Sequence, residues 1–325
     1  MIKSNRILIV LVSIVFSLSS FIAKAQYKSD LKTAELKGHV KTVYTQTYFA
    51  TDKSGEIVKG DKIGNDVTQF NNKGLMTDDK SYRDNRLIKK IILKYDDLDN
   101  VVEFDFFRPD GSLYFIQKYN YNDKGKITEE NTIYSDSSYN VKKSYNYDVH
   151  SNLIERNIYD SKGLLTYKET YKYNSLMNET EFCKFGPDGR LIIKNTRNYD
   201  TDGKLLDSKE ESHKIVNKYT YDNRGIIITD EEYRNDSLIS KRTYDIDFKG
   251  DKVGECTYYP NGKIKNKKTY DKEGNLTEDT DYNDLGAIKS SETIKYMYDM
   301  YGNWRTKTTT INSKITIAER SYEYY

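Results

Sequence analysis

Five tyrosines, Tyr95, Tyr121, Tyr147, Tyr173 and Tyr199, recur at a constant spacing of 26 residues. Each is followed by Asp or Asn. In copies such as Tyr121-Asn122-Asp123-Lys124-Gly125 and Tyr199-Asp200-Thr201-Asp202-Gly203, a Gly stands four residues on. A fixed period of this length is the mark of a repeat architecture, and it restricts the fold more than any other feature of the chain. Further aromatic-led turns fall before them, at Phe70 and Tyr82, and between them, at Phe107, Tyr134, Tyr159 and Phe185. They continue beyond, at Tyr221, Tyr233, Tyr259, Tyr270, Tyr282 and Tyr298. The unit is therefore two strands and two turns, a β-hairpin, with strands of about nine residues or roughly 30 Å.

The strand segments alternate as a half-exposed antiparallel strand requires. In residues 165–173, Leu165, Tyr167, Glu169, Tyr171 and Tyr173 share one face and Thr166, Lys168, Thr170 and Lys172 the other. Gly after the turn supplies positive φ for a short loop. Pro109, Pro187 and Pro260 follow a leading aromatic, at turn positions that tolerate them. The predicted fold class is all-β: an extended antiparallel array of hairpin repeats, as a twisted single sheet, an open solenoid or a partial barrel.

Residues 1–25 read as a signal peptide. Lys3 and Arg6 precede an uncharged run over residues 7–22, and Ala23-Lys24-Ala25 fits the small-x-small cleavage rule. The alternative is an uncleaved anchor, but the run is shorter than the about 20 residues a spanning helix needs. Gln26 stands where a lipoprotein has Cys. The expected product is exported (periplasmic, outer-surface or secreted), with no membrane span after cleavage. Removing Lys3, Arg6 and Lys24 from 52 basic residues leaves 49 against 50 acidic ones, a net charge near −1. That balance argues against nucleic acid as a partner. Charged residues make up 31% and aromatic residues 13%, with 31 Tyr and only 3 Pro. This composition suits a two-faced sheet, since Tyr lies half buried with its hydroxyl in water.

Residues 26–69 read as an N-terminal lead-in or cap. A short helix is expected near 30–36, a first strand over 39–49, and a loop over 51–64, where Gly55, Gly60 and Gly64 stand among charges. Residues 70–310 carry the repeats and 311–325 a C-terminal capping strand. Cys183 and Cys256 lie nearly three units apart, so two free thiols are expected over a disulfide.

The segments Lys118-Tyr119-Asn120-Tyr121-Asn122-Asp123-Lys124-Gly125, Lys218-Tyr219-Thr220-Tyr221-Asp222-Asn223-Arg224-Gly225 and Tyr296-Met297-Tyr298-Asp299-Met300-Tyr301-Gly302-Asn303 resemble the YD repeats of the RHS family. The resemblance covers about residues 70–310. It implies a β-hairpin strip, and members of the family are often described as carbohydrate-binding. The chain departs from the large relatives, whose repeats are shorter. It lacks their C-terminal core motif and toxin-like tail, so their delivery role is not implied. Tyr258-Tyr259-Pro260-Asn261-Gly262 also resembles a MORN-type hairpin.

Catalytic groupings do not stand out. His39, His150 and His213 are isolated, without the spacing of a metal site. The Asp-rich turns lack the EF-hand ligand pattern. No cofactor, metal or catalytic residue is expected. One pattern goes beyond turn chemistry. Eight residues after each leading Tyr stands an acid: Glu103, Glu129, Glu155, Glu181 and Asp207. Counting back across the hairpin sets Glu129 against Tyr119, Glu155 against Tyr145, Glu181 against Tyr171 and Asp207 against Arg197. These acids and Tyr119, Tyr145 and Tyr171 form a candidate ligand strip, the residue types that stack on and hydrogen-bond sugars. The expected function is a non-catalytic binding or scaffold module of the bacterial envelope, its partner an envelope glycan or protein. One alternative is a structural module that recruits protein through its sheet edges. The more remote one is a glycan-active enzyme.

Overall fold

The computed structural model describes residues 34, 36–137, 139–211 and 213–325. The signal segment and most of the expected helix at 30–36 lie outside the described residues. What is described is all β. The chain opens with β1 (Val40–Lys53), β2 (Glu56–Phe70), β3 (Met76–Arg83), β4 (Arg86–Tyr95), β5 (Val101–Phe107) and β6 (Leu113–Tyr121). It continues through β7 (Ile127–Tyr134), β8 (Val141–Tyr147), β9 (Leu153–Tyr159), β10 (Leu165–Tyr173), β11 (Glu179–Phe185) and β12 (Leu191–Tyr199). Then come β13 (Leu205–Glu210), β14 (Ile215–Tyr221), β15 (Ile227–Arg234), β16 (Ser237–Ile246) and β17 (Lys252–Tyr258). The last are β18 (Ile264–Tyr270), β19 (Leu276–Tyr282), β20 (Ile288–Tyr298), β21 (Trp304–Ile311) and β22 (Lys314–Tyr324).

Each strand pairs antiparallel with the next, and β22 pairs with β1, so the sheet closes on itself. The closing register sets Val43 opposite Tyr322, Thr45 opposite Arg320 and Ala50 opposite Ile315. The all-β hairpin array is as the repeat predicts, but it forms a closed barrel in place of an open or partial one. The period specifies neighbours. Closure depends on strand number and stagger summed around the whole ring, which no single unit contains. The 22 strands, at about 4.8 Å each, make a perimeter of roughly 105 Å. That is wider than barrels that fill their interior with side chains.

The expected loop at 51–64 is instead the hairpin of β1 and β2, strands of 14 and 15 residues. Glycine suggested a loop there, but a strand glycine also marks a bulge or a close approach. The register shifts between Thr47 and Tyr48 and again between Tyr48 and Ala50. A Cβ on Gly64 would stand 2.8 Å from the Tyr82 carbonyl oxygen.

The leading tyrosines end strands on one rim, and the turn after each has one construction. In the turn after Tyr147, the Asp148 carboxylate accepts the backbone N–H groups of His150 at 2.9 Å and Asn152 at 2.8 Å. The fourth turn residue is left-handed: Gly125 and Gly203 in two copies, but Asp99, Ser151 and Met177 in others, at φ of 66°, 68° and 63°. The Asx side chain thus closes the loop even where glycine is missing.

Burial alternates along the strands. In β6, Phe115, Gln117 and Tyr119 are buried while Lys118 and Asn120 are exposed. One face of the sheet, the tyrosine face, is therefore the more covered; the other is a lysine–acid face. Charged groups occur on both. Apolar packing is local. Ile91, Leu93, Val101, Phe104, Phe115 and Tyr119 form one cluster, and Val40, Val43 and Phe70 form another beside the closure. Among the described residues no helix is long and apolar enough to cross a membrane.

Candidate functional site

The acid ladder lies on the lysine–acid face, and the tyrosines expected opposite it do not. Each rim turn is followed by a one-residue register shift, such as that between Asn120 and Tyr121. Tyr121 still opposes Ile127, but Glu129 then opposes Asn120, and Tyr119 meets Glu130. Likewise Glu155 faces Asn146, Glu181 faces Lys172 and Asp207 faces Asn198, while Tyr145 faces Arg156, Tyr171 faces Phe182 and Arg197 faces Ser208. The expected pairs are thus replaced, because a slip of one residue moves a side chain to the other face of a strand.

The ladder's carboxylates have cationic or amide partners from flanking strands. Glu129 binds Lys142 at 2.6 Å and Glu155 binds Lys168 at 2.6 Å. Glu181 holds Lys172 at 2.6 Å and Lys194 at 3.3 Å. Glu103 contacts Lys94 and Lys118, and Asp207 accepts from Asn198 at 2.8 Å. Hydrogen bonds from Lys142 and Lys168 hold the Glu129 and Glu155 carboxyls below the usual range. Each ladder position is a cross-strand ion pair or hydrogen bond.

The tyrosine face carries acids that the ladder count missed. Glu130, only 3% exposed, accepts from Lys143 at 2.7 Å, the Tyr145 hydroxyl at 2.9 Å and the Gln117 amide at 3.3 Å. Glu169, 4% exposed, accepts from Arg156 at 2.7 Å and the Tyr171 hydroxyl at 3.0 Å. Burial pushes the Tyr145 and Tyr171 hydroxyls well up. Burial works against the Arg156 charge, but Tyr171 and Glu169 outweigh it and raise its pKa. This is a satisfied buried polar network, which fixes side-chain positions and leaves little free hydrogen-bonding capacity. Strand alternation was the signal that could have found it, since it places Glu169 beside Tyr167 and Tyr171.

Adjacent strands are joined at the rim by the leading tyrosines themselves. The hydroxyls of Tyr95, Tyr121, Tyr147, Tyr173 and Tyr199 donate to the carbonyls of Met76, Val101, Ile127, Leu153 and Glu179, at 2.6 to 2.8 Å. Each bond spans the strand gap to the start of the preceding strand. Where the chain closes, Asn303 takes over. Its side-chain carbonyl accepts the Lys37 N–H at 2.7 Å and its amide donates to the Lys37 carbonyl at 2.8 Å.

The closure also forms a groove on the lysine–acid face. Met297 of β20, Thr306 of β21, Glu319 of β22 and Gln46 of β1 stand in one row across four strands. A cavity of about 540 Å³ lies over them, flanked by Tyr44 and Arg305. Arg305 is the extra residue of a bulge between the pairs Tyr298–Trp304 and Met297–Thr306. Bulges re-aim side chains in this way. The two cysteines are unpaired, Cys183 on β11 and Cys256 on β17. Among the described residues no cluster of His, Cys, Asp and Glu has the makings of a metal site.

The fold and these sites define a closed antiparallel barrel of tyrosine-stitched hairpin repeats. No protein-family model and no curated protein sequence matches the chain. Among solved structures it is similar to a crystal structure of TcdB2-TccC3-TEV, at 13% identity, over 83% of this chain and 15% of that one, with a TM-score of 0.43. A structure of TcdB2-TccC3 aligns at 12% identity over 79% of this chain and 15% of that one, at 0.44. A porin-like protein from Bacteroides uniformis aligns at 10% identity over 87% of this chain and 98% of that one, at 0.30. The chain thus spans a small fraction of the TcdB2-TccC3 chains. TM-scores below 0.5 do not establish a common fold.

Proposed function

We propose that the protein is an exported, non-catalytic ring scaffold of a bacterial envelope that presents a glycan-binding groove. The observation that carries the scaffold reading is the pairing of β22 with β1. It commits both edge strands to each other. Recruitment of a protein through a free sheet edge, the alternative considered from sequence, therefore loses its premise, since a closed barrel has no edge. The buried acids on the tyrosine face and the acids of the ladder are taken up by neighbouring side chains, which supports a structural role for both.

Export rests on the basic, apolar and small-residue pattern of residues 1–25. The glycan reading is favoured by the closure groove, where an exposed tyrosine, an arginine, hydroxyls and an amide converge. Retention of the exported chain on immobilised envelope polysaccharide tests it, together with cross-linking in intact cells. Retention with no specific protein neighbour is the expected result. A specific protein neighbour with no polysaccharide retention would replace the glycan reading with a protein-partner one.

A further inference from the structure

We infer that the closure groove is a site for an acidic saccharide, a glycan unit that carries a carboxylate. This rests on the glycan-binding reading above and assigns its site and ligand class. The groove has an apolar flank and a polar floor. Met297 is 68% exposed at one side of the groove and Tyr44, three strands away on β1, is exposed at the other, while Thr306, Ser321 and Gln46 supply hydroxyls and an amide between them. A pyranose ring has the matching shape, with one C–H face to lay on an aromatic or thioether surface and an edge of hydroxyls for the floor.

The charge balance selects the acid. One guanidinium, that of Arg305, and one carboxylate, Glu319, line the groove, while the Arg320 side chain lies on the opposite face of β22 with Thr45. Both Glu319 oxygens already accept from Lys59, at 2.8 Å each. Arg320 is stacked on Trp304 at 3.8 Å and held to Thr45. Arg305 differs. It is exposed, and among the described residues no hydrogen bond or ion pair engages its guanidinium. The bulge leaves a planar, two-pronged donor at the mouth of a groove whose own carboxylate, Glu319, is already matched by Lys59. A carboxylate is the group such a fork recognises bidentately. Among the described residues no other repeat reproduces the arrangement, because it combines β20, β21 and β22 with β1.

The test is calorimetric titration of the exported chain with two probes: a galacturonic acid tetramer and the galactose tetramer of the same linkage. The acidic tetramer is expected to bind and the neutral one to bind more weakly. Arg305→Ala is expected to weaken the acidic tetramer about tenfold or more, as loss of a charge-assisted hydrogen bond does, and to leave the neutral one unchanged. Tyr44→Ala, which removes the ring, should weaken both tetramers. Arg305 lacks a described partner, so its variant should melt as the parent does, which separates binding from folding. Glycan binding that is indifferent to Arg305→Ala and Tyr44→Ala overturns this site while sparing the broader glycan reading. Failure of both probes, and of a wider polysaccharide screen, overturns the two together.

Discussion

The Tyr121 hydroxyl donates to the carbonyl of Val101 at 2.6 Å, tying the end of one hairpin to the start of the strand before it. The same contact recurs from Tyr147 to Ile127 and from Tyr173 to Leu153. The leading aromatic is therefore a fastener between adjacent strands as well as a strand end. Phe, which occupies the slot at Phe70, Phe107 and Phe185, fills the space without the bond.

Tyr147→Phe isolates that bond. The ring stays and only the hydroxyl goes, leaving the Ile127 carbonyl without this donor. A loss of about 1 kcal/mol is expected. Chemical denaturation of the single variants and of Tyr147→Phe with Tyr173→Phe measures it. Because the two bonds are separate, the double variant should lose more than either single one. A Tyr147→Phe protein as stable as its parent would show that water replaces the hydroxyl at no cost.

Met177 holds φ of +63° at a turn position where other copies have glycine. A non-glycine residue pays about 1–2 kcal/mol for that conformation, and glycine's extra unfolded-state freedom offsets part of the gain. Met177→Gly should therefore stabilise the protein by about 0.5–1 kcal/mol. The parallel Gly203→Met should destabilise it. Thermal melts of the two variants give opposite signs if backbone strain dominates, and the same sign if side-chain packing does.

Alkali should unfold the barrel. Burial pushes the Tyr147 and Tyr173 hydroxyls up to about 12 from an ordinary 10.0. A raised folded-state pKa means that the native protein retains the proton more tightly than the unfolded chain does. Their stabilisation is complete below pH 10 and is lost as pH rises through about 12. The last part of the tyrosinate absorbance rise, toward pH 12, should change in step with the circular dichroism. A fold that persists after every tyrosine has ionised would contradict the burial of these hydroxyls.

The acid ladder is expected to matter little for binding. Glu129 and Glu155 are partly exposed and already paired with lysines, so each pair is worth less than about 1 kcal/mol. The double variant Glu129→Ala, Glu155→Ala should keep its retention on polysaccharide and lose only slight stability, most visibly at low salt. A sharp drop in retention with unchanged stability would restore the ladder as the ligand strip.

What the sequence discloses about this fold is local. The Asx at the start of each rim turn, the aromatic before it and the alternation in residues 165–173 all act within one hairpin, and they give the strands and turns directly. Two things lie beyond such a reading. The first is the bulge after each turn. It carries Glu129 away from Tyr119 to Asn120, and a simple count across the hairpin has no place for it. The second is closure. Asn303 meets Lys37 and Met297 joins a row with Gln46 only because curvature has accumulated over the whole ring. The groove residues share no period and escape a reading that follows the repeat. Glycine misled in the opposite direction at Gly64, where it serves the close approach of the Tyr82 carbonyl in a strand.

The Tyr325 N–H donates to the His39 carbonyl at 3.0 Å, so the last described residue lies against the lead-in to the first strand. Topologically the barrel has no beginning. Translation imposes an order on a circle whose hydrogen-bond ladder treats the β22–β1 junction as one more neighbour pair. A circular permutant opened at any rim turn would have to rebuild the same set of ladders. The native opening point sits beside the groove, so the seam is the place where the chain departs from its own repeat.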